Sequence, residues 1–422
     1  MKPAVTAATL AICLIFLIFR FWLAVNAKHG DMYNNLDWGA IAVDHGLSGF
    51  YDLPKAVWPH SAPNQPAGSI YLHTASVVMD RSVDKIIKRL NDQIPAFPSK
   101  LVWWWEWNGS LVTIKYFSIL ADFIIAAAIL VLARHIQRPR TGLLVALAYL
   151  VNPALWYNSS FWGQTDSVVA ALSLTSLVLL AGRRLAWSPV FLGLSLSVKA
   201  SWAPILPFYI LYYWLNHRSR LLTLLLIPAV VVLAFAPFHP HPDLPGWLSS
   251  LYLHRILPGE TAFITVLAFN FWNLLFGPYG VPHTIPLFGI PANILGWAAV
   301  ALLAAPLTIR LVKTPRFTDF VWASALLFFA VFLFAPKMIH RYLYPVFPLL
   351  HLALLFDRRR FWLAAALAVM SGLYLINLYY RWWAPGSILL ESLYTDRLMK
   401  LISVAYLAVF ILLYKHSVHA KV

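Results

Sequence analysis

Charged residues are scarce in this chain of 422 residues, since Asp, Glu, Lys and Arg together make up only 11% of it. A typical soluble domain is about 25% charged and about 45 to 50% apolar, whereas 61% of this chain is hydrophobic. The single cysteine, Cys13, lies inside the first apolar run, so a disulfide framework is excluded. The composition excludes a water-soluble globule and a disordered chain, and it predicts a polytopic membrane protein.

Acidic residues are also few: the chain has 16 Asp and Glu against 32 Lys and Arg, which gives a formal net charge of +16. Half of the cations lie in short stretches outside the long apolar runs, with few acids beside them. This is the positive-inside pattern, which predicts that these stretches are cytoplasmic. The net charge therefore indicates topology, and we expect no nucleic-acid partner. The cations of these short stretches lie at Lys2, 134–140, 183–184, 218–220, 310–316, 357–360 and in the tail from Lys415.

Apolar segments of spanning length predict about twelve transmembrane helices. Both termini are then cytoplasmic. The first segment lacks a small-residue cleavage site, so we expect it to remain as a transmembrane helix. The predicted fold class is an all-α polytopic membrane protein, with residues 1–422 as one integral membrane domain. The segments are 3–25, 112–133, 141–157, 167–182, 187–199, 202–215, 221–237, 286–309, 317–335, 341–356, 361–380 and 398–414.

Two long loops lie on the outer side in this topology. The first, 26–111, has apolar residues at helical spacing within 79–90, which predicts an amphipathic helix on the bilayer surface. The tryptophans within 103–107 follow it and are typical of an interfacial aromatic belt. The second loop, 239–285, contains the aromatic-rich run 261–276, for which we predict a re-entrant or interfacial segment and not a span.

Two ionisable residues on the outer side are candidates for chemistry. Asp31 follows the first span closely, so its carboxylate can act near the membrane surface as a general base on a substrate hydroxyl. A helix cap after Gly30 is the alternative. Lys199 interrupts an apolar run that also contains Pro204 and Pro207, which predicts a break between two short helices. An ionisable group there is a functional candidate, and snorkelling to the outer interface is the alternative.

Two further segments carry groups suited to a sugar phosphate. Residues 152–166 mix Trp and Tyr rings with amide and carboxylate groups, which suits sugar hydroxyls. The alternative is an aromatic belt with a helix cap near Asp166. Residues 337–345 hold Lys337, His340 and Arg341 at the outer end of a predicted span, where a phosphate at headgroup level would supply their partner. Together these segments predict an outward-facing site with one carboxylate base, several cations and sugar-binding loops.

These segments resemble the GT-C glycosyltransferases that use polyprenyl-phosphate sugars, especially the prokaryotic relatives of the second GPI mannosyltransferase and, more distantly, the dolichyl-phosphate-glucose glucosyltransferases. The matching pieces follow the family's order over most of the chain. They are Gly30-Asp31-Met32-Tyr33 through Trp38, Asn64-Gln65-Pro66-Ala67-Gly68, Asp122, Asn152-Pro153 through Asp166, Lys199, Ala268-Phe269-Asn270-Phe271-Trp272, and Lys337 through Pro345.

The resemblance implies a GT-C fold in which the first outer loop covers the active site and Asp31 is the general base of an inverting transfer. It implies a polyprenyl-phosphate-sugar donor and a glycan, glycolipid or protein as acceptor. From the sequence itself we expect no cofactor. The residues implied around the donor phosphate are Lys199, Lys337, His340 and Arg341. Those implied near the sugars are Asp37, Asn64, Trp162, Gln164, Asp166 and Asn270.

The chain departs from the family at two places. Where the family commonly has Lys-Met-His-Glu-Arg-Tyr, this chain has Lys337-Met338-Ile339-His340-Arg341-Tyr342, so His340 replaces the Glu. A Tyr-Pro-Pro of the family is Gln65-Pro66-Ala67 here. These differences concern the identity of the sugar and the role of His340.

The sequence thus predicts a membrane hexosyltransferase that works on the extracytoplasmic side, with mannose favoured over glucose and a prokaryotic plasma membrane favoured as its location. A secondary transporter or lipid-linked sugar flippase is the main alternative, because many spans and a broken helix pair also fit that architecture. An inactive relative with a structural role is a third reading. Asp31 and Asp37 could flank a divalent cation, but their spacing alone does not support a metal site.

Overall fold

The computed structural model describes residues 3–257, 261–357, 360–379 and 395–419. Within these residues the chain is mainly α-helical, with short 3₁₀ and π segments and two small two-stranded sheets, which confirms the predicted all-α class. Parts of the predicted basic stretches and spans lie outside the described residues, namely Lys2, 358–359, 380 and 420–422. The helices in chain order are α1 (Pro3–Asn26), α2 (Asp31–His45), α3 (Ala67–Gln93), α4 (Lys100–His135), α5 (Pro139–Val151), α6 (Pro153–Trp156), α7 (Asp166–Ala181), α8 (Trp187–Val198), α9 (Leu206–Asn216), α10 (Leu226–Phe235), α11 (Leu244–Leu251), α12 (Phe271–Phe276), α13 (Ala292–Lys313), α14 (Phe317–Phe334), α15 (Val346–Phe356), α16 (Arg360–Tyr379) and α17 (Asp396–His419).

Seven helical segments of the described chain are long and apolar enough to cross a membrane, and the apolar helices α5, α7 and α8 are shorter. Each of the predicted spans overlaps a helix, while the number of true crossings stays a prediction. The seven segments are Thr9–Asn26, Lys100–His135, Arg218–Phe235, Ala292–Lys313, Phe317–Phe334, Phe361–Tyr379 and Asp396–Val418.

The predicted break around Lys199 is confirmed. α8 ends at Val198, Lys199 is extended with φ −159° and ψ 137°, and a 3₁₀ segment, Ala200–Ile205, precedes α9. A proline inside that segment lacks the N–H that a continuous α-helix would use. Ser69 at the start of α3 donates a hydrogen bond of 2.7 Å to the carbonyl of Val198. The loop 26–111 is therefore attached directly to the broken helix.

The predicted amphipathic helix is part of α3, which packs alongside α4. Lys88 Nζ lies 3.0 Å from Glu106 Oε1. A Cβ at Gly109 would lie 2.4 Å from Asp80 Oδ1, so a larger residue there would displace the side chain of Asp80. α4 begins at Lys100 and not near 112, so the tryptophans of 103–107 belong to one helix of 36 residues. The length of α4, about 54 Å, exceeds the ~30 Å hydrocarbon core. The position of α3 on the bilayer surface stays a prediction.

The loop 239–285 contains α11, a π segment and α12, together with strand β1 (Thr265–Val266). β1 pairs in parallel with β4 (Met338–Ile339), which precedes α15. Between them, the hairpin of β2 (Pro286–Leu287) and β3 (Ile290–Pro291) occupies the start of the span predicted at 286–309, so α13 begins only at residue 292. The main hydrophobic core is formed mostly by α4, α5, α7, α8, α14, α15, α16 and α17.

Candidate active site

Asp31 lies at the turn between the first two helices. Lys115 of α4 donates hydrogen bonds from Nζ to the carbonyl oxygens of Ala24 (2.9 Å) and Ala27 (2.7 Å), which would otherwise be unsatisfied at the end of α1. α2 begins at Asp31, with Gly30 as N-cap residue and no side-chain cap hydrogen bond. The helix-cap interpretation of Asp31 is therefore wrong, and its carboxylate makes contacts elsewhere.

Three donors converge on one oxygen, Oδ2 of Asp31. Gln164 Nε2 lies 2.7 Å from it, Trp162 Nε1 lies 3.1 Å from it, and Arg341 Nη1 lies 3.3 Å from it. The side chain of Asp31 keeps 31% of its surface exposed. The structure thus brings together four residues of the predicted site, and it leaves the carboxylate accessible to a substrate hydroxyl.

The indole of Trp162 lies between two histidine rings. Its centroid is 4.2 Å from that of His29 and 5.0 Å from that of His340, whose plane is tilted by only 20°. All three side chains are buried. Because the rings restrain each other, the indole N–H stays directed at Asp31.

Electrostatics keeps the carboxylate ionised. Burial raises the pKa of Asp31, but the Arg341 guanidinium and the hydrogen bond from Trp162 help to lower it by more, so the pKa lies below its ordinary value of 3.8. Burial lowers the pKa of His29 to about 4 and that of His340 to about 3. At neutral pH the site therefore holds a carboxylate, a guanidinium and two uncharged imidazoles.

A π-helical segment, Tyr157–Trp162, presents the donors to Asp31. It ends at Gly163, whose φ of 81° is in the left-handed region. A Cβ at this position would lie 3.1 Å from Cγ of Lys115. Since the residues on both sides of the glycine contact Asp31, this tight turn fixes the geometry of the carboxylate's partners.

A cavity of about 510 Å³ adjoins this cluster. Its wall includes three cationic residues, Lys199, Lys337 and Arg341, as well as Asn64. Much of the remaining wall is apolar, with Pro204, Ile256, Leu257, Trp297, Phe328 and Val331. Its volume is in the range of about 300 to 1,000 Å³ that is usual for small-molecule sites. Arg341 lines the cavity and contacts Asp31, so the two parts of the site meet at this residue.

Lys199 is held inside the protein by an ion pair. Its Nζ lies 2.7 Å from Oδ1 of Asp166, and the two side chains are 12% and 6% exposed. Asn158 Nδ2 lies 3.4 Å from the other oxygen of Asp166. This arrangement does not fit snorkelling into an open interface, and it means that Asp166 offsets part of the positive charge of the cavity.

Lys337 occupies a strained position in the cavity wall. Its φ is 61°, a conformation that residues other than glycine rarely adopt. The pairing of β4 with β1 fixes the backbone on its C-terminal side. Strain of this kind is retained where the surrounding structure fixes it, and it is concentrated at functional sites.

Two residues that the resemblance implies for binding have other surroundings. His340 is stacked on Trp162 and is not among the residues that line the cavity described above, and burial lowers its pKa to about 3. Its place beside the donor phosphate stays a prediction. Asn270 is fully buried, and its Oδ1 accepts hydrogen bonds from the backbone N–H groups of Trp272 and Asn273. Asn270 thus caps α12 and is not directed at a sugar.

The carboxylate of Asp37, considered above as a flank of a divalent cation, contacts the imidazole of His60. Its Oδ2 lies 2.5 Å from Nδ1 of His60, and its side chain is 24% exposed. Tyr33 is stacked on the same imidazole. In the part of the chain that the structure describes, no group of three His, Cys, Asp or Glu side chains is arranged to hold a metal ion.

The sequence interpretation gave no role to several residues near the site. Arg20 of α1 and Asp122 of α4 form an ion pair at 2.6 Å, and both side chains are fully buried. A signal for this pair exists, because opposite charges in two apolar runs are each costly in a membrane and favour pairing. Lys115 carries the same signal, because it is a charged residue inside the span predicted at 112–133. His29 is a lone polar residue, and nothing in the sequence indicates its contacts.

No protein-family model and no curated protein sequence matches the chain. Among solved structures, its fold is similar to the crystal structure of ArnT from Cupriavidus metallidurans bound to undecaprenyl phosphate. The TM-score is 0.54 and the identity 15%, with 99% of this chain and 78% of that chain covered. The predicted GT-C-like fold is therefore confirmed, and the chain is an integral multi-pass membrane protein. At this identity the likeness concerns the fold alone.

Proposed function

We propose that the chain is a membrane glycosyltransferase that moves a hexose, with mannose favoured over glucose, from a polyprenyl-phosphate donor to an acceptor hydroxyl. The observation that carries the proposal is the position of Arg341, which lines a cationic cavity and contacts the carboxylate of Asp31. This arrangement supports a site in which a base and phosphate-binding charges act together. The solved ArnT structure of similar fold is bound to undecaprenyl phosphate, which supports a donor of that class.

Asp31 is the general base in this proposal. As the acceptor oxygen attacks the anomeric carbon, its proton passes to the Asp31 carboxylate. The bond between that carbon and the phosphate oxygen breaks on the opposite face, so the configuration inverts and the phosphate keeps the electron pair. A positioned base contributes about 10²- to 10⁴-fold to such a step. Gln164 and Trp162 orient the carboxylate through their hydrogen bonds.

The cavity binds the donor in this proposal. Lys337, Arg341 and, to the extent that Asp166 allows, Lys199 stabilise the charge that develops on the leaving phosphate. The apolar wall around Trp297 suits the first isoprenoid units. We assign Asn64 and Asp166 to the donor sugar and Asp37, on the exposed side of α2, to a glycan, glycolipid or protein acceptor. The active site is extracytoplasmic, the termini are cytoplasmic, and a prokaryotic plasma membrane is favoured.

A reconstituted transfer assay tests this function. The purified protein in liposomes receives undecaprenyl-phosphate-mannose or undecaprenyl-phosphate-glucose together with a glycolipid and glycan extract from cells that lack the protein. We expect mass spectrometry to show an acceptor that gains one hexose, with undecaprenyl phosphate released in equal amount. Movement of the sugar lipid across the bilayer without a new glycosidic bond would replace the proposal with the transporter alternative.

A further inference from the structure

A fully buried hydrogen-bond network is centred on Asp122. Its Oδ2 accepts hydrogen bonds from Arg20 Nη1 (2.6 Å) and Ser159 Oγ (2.5 Å). Its Oδ1 lies 3.2 Å from the hydroxyl of Tyr149 and 3.3 Å from that of Tyr344. The two hydroxyls are 2.9 Å apart, so one tyrosine donates to the other and the second donates to Asp122. All five residues are at most 1% exposed. A carboxylate offers about four lone-pair sites, and the buried groups around Asp122 donate to at least three of them.

Three of the residues that contact Asp122 belong to the segments that build the Asp31 site. Arg20 lies on α1, which leads directly into the turn before Asp31. Ser159 lies in the π segment that presents an indole to the carboxylate. Tyr344 follows the 3₁₀ turn that contains Arg341, and its N–H donates a hydrogen bond of 3.1 Å to the carbonyl of Arg341. Each segment therefore has one contact with Asp122 and one with the Asp31 site.

We propose that Asp122 is a positioning residue. Through its contacts with Arg20, Ser159 and Tyr344 it fixes the relative positions of the base, its donors and the Arg341 guanidinium. The effect on rate rests on the proposed function, whereas the effect on geometry does not. Burying an ion pair is expensive, and apolar residues of similar volume are often as stabilising or more so. The pair is therefore a costly source of stability, and its contacts point to a role in fixing the arrangement of three segments.

The double variant Arg20→Met with Asp122→Leu removes both charges together, so neither is left buried alone. We expect it to insert and fold, with kcat lowered by about 10- to 100-fold and the donor KM within about twofold, because small misplacements of reacting groups are costly. Ser159→Ala, which removes one hydroxyl only, gives the same pattern at smaller size. The control is Tyr209→Phe, which removes a buried hydroxyl that contacts Ser188 at 2.5 Å in another network; its kcat per folded molecule stays unchanged.

A second measurement needs no enzymatic activity. In a Cys13→Ser background, the pair Asp31→Cys and Gln164→Cys is treated with a short bifunctional thiol reagent, since the native side chains lie 2.7 Å apart. We expect fast cross-linking with Asp122 present and at least about tenfold slower cross-linking in the double variant. Unchanged cross-linking overturns the proposal, whatever the activity. If the unaltered protein transfers no sugar, the proposed function fails, while the cross-linking rates still decide the role of Asp122.

Discussion

The guanidinium of Arg341 contacts the carboxylate of Asp31 at 3.3 Å and also lines the neighbouring cavity. Its positive charge favours the ionised carboxylate and is among the causes of the lowered pKa of Asp31. A carboxylate with a lowered pKa is ionised over a wider pH range, but it is also a weaker base. A phosphate in the cavity would compete for the same guanidinium, so donor binding and the basicity of Asp31 are linked through one side chain.

Arg341→Gln therefore alters the pH dependence of transfer. With the guanidinium present, the pKa of Asp31 lies below 3.8, so the acidic limb of kcat/KM lies below this pH. Without it, burial continues to raise the pKa, and the acidic limb moves to higher pH. The profile is measured from pH 3 to 8 beside the control Arg81→Gln, whose guanidinium pairs with Asp44 at the surface. An unmoved acidic limb would contradict Asp31 as the titrating base.

Asp31→Asn removes the proposed base while preserving the size of the side chain. We expect kcat to fall by about 10²- to 10⁴-fold, with donor affinity nearly unchanged because the cavity cations remain. Product formation and thermal unfolding are measured together. The control is Asp44→Asn on the same helix, whose carboxylate is exposed. If Asp31→Asn retained more than half of the activity, Asp31 would not be the general base.

Much of the fold could be predicted because hydropathy is a direct physical requirement of the bilayer. The apolar runs gave the helices, and the break at Lys199 followed from a charge beside Pro204 in a run too long for one short helix. Asp31 and Arg341 were likewise recognisable, since charges at the ends of apolar runs need a partner or a task. Their distance of 3.3 Å, across 310 residues of sequence, depends on the tertiary fold.

The directions of buried side chains could not be predicted. Asn270 lies in a matching segment, yet its amide caps α12 because the first N–H groups of that helix need an acceptor. His340 is next to Arg341 in sequence, but its ring packs on Trp162, whereas Arg341 lines the cavity. The start of α4 at Lys100 was also not predicted. The polar residues and tryptophans of its first three turns lie outside the apolar window, although they belong to the same helix.

Lys337→Met tests the cationic wall of the cavity. The thioether side chain keeps most of the apolar length while removing the charge. Loss of one contact to a charged group costs about 1.5 to 3 kcal/mol, so we expect the Kd of undecaprenyl phosphate to rise by about 10- to 100-fold. Binding is titrated directly in detergent, with Lys85→Met on the exposed face of α3 as the control. Equal affinities in the two variants would show that the phosphate binds elsewhere.

Val331→Trp tests whether the apolar wall of the same cavity contacts the isoprenoid chain. The larger ring occupies part of the 510 Å³, so we expect weaker binding of undecaprenyl phosphate and little change for a water-soluble phosphate with a very short chain. Overpacking costs about 1 to 3 kcal/mol in a filled core, but less beside a cavity. Val404→Trp, at a position 50% exposed on α17, is the control. If chain length has no influence on the effect, the isoprenoid is not bound in this cavity.

Gly163→Ala separates backbone strain from the geometry of the site. Gly163 and Gly49 both have left-handed backbones, with φ of 81° and 70°. Alanine at either position therefore costs about 1 to 2 kcal/mol of stability. Only at position 163 would the added Cβ press on a neighbour, Cγ of Lys115 at 3.1 Å, whereas at Gly49 nothing lies within 4 Å. We expect similar losses of thermal stability, but a kcat lowered by about tenfold or more only for Gly163→Ala, because its neighbours hold Asp31. Equal activity of the two variants would mean that the donors to Asp31 need no such exact placement.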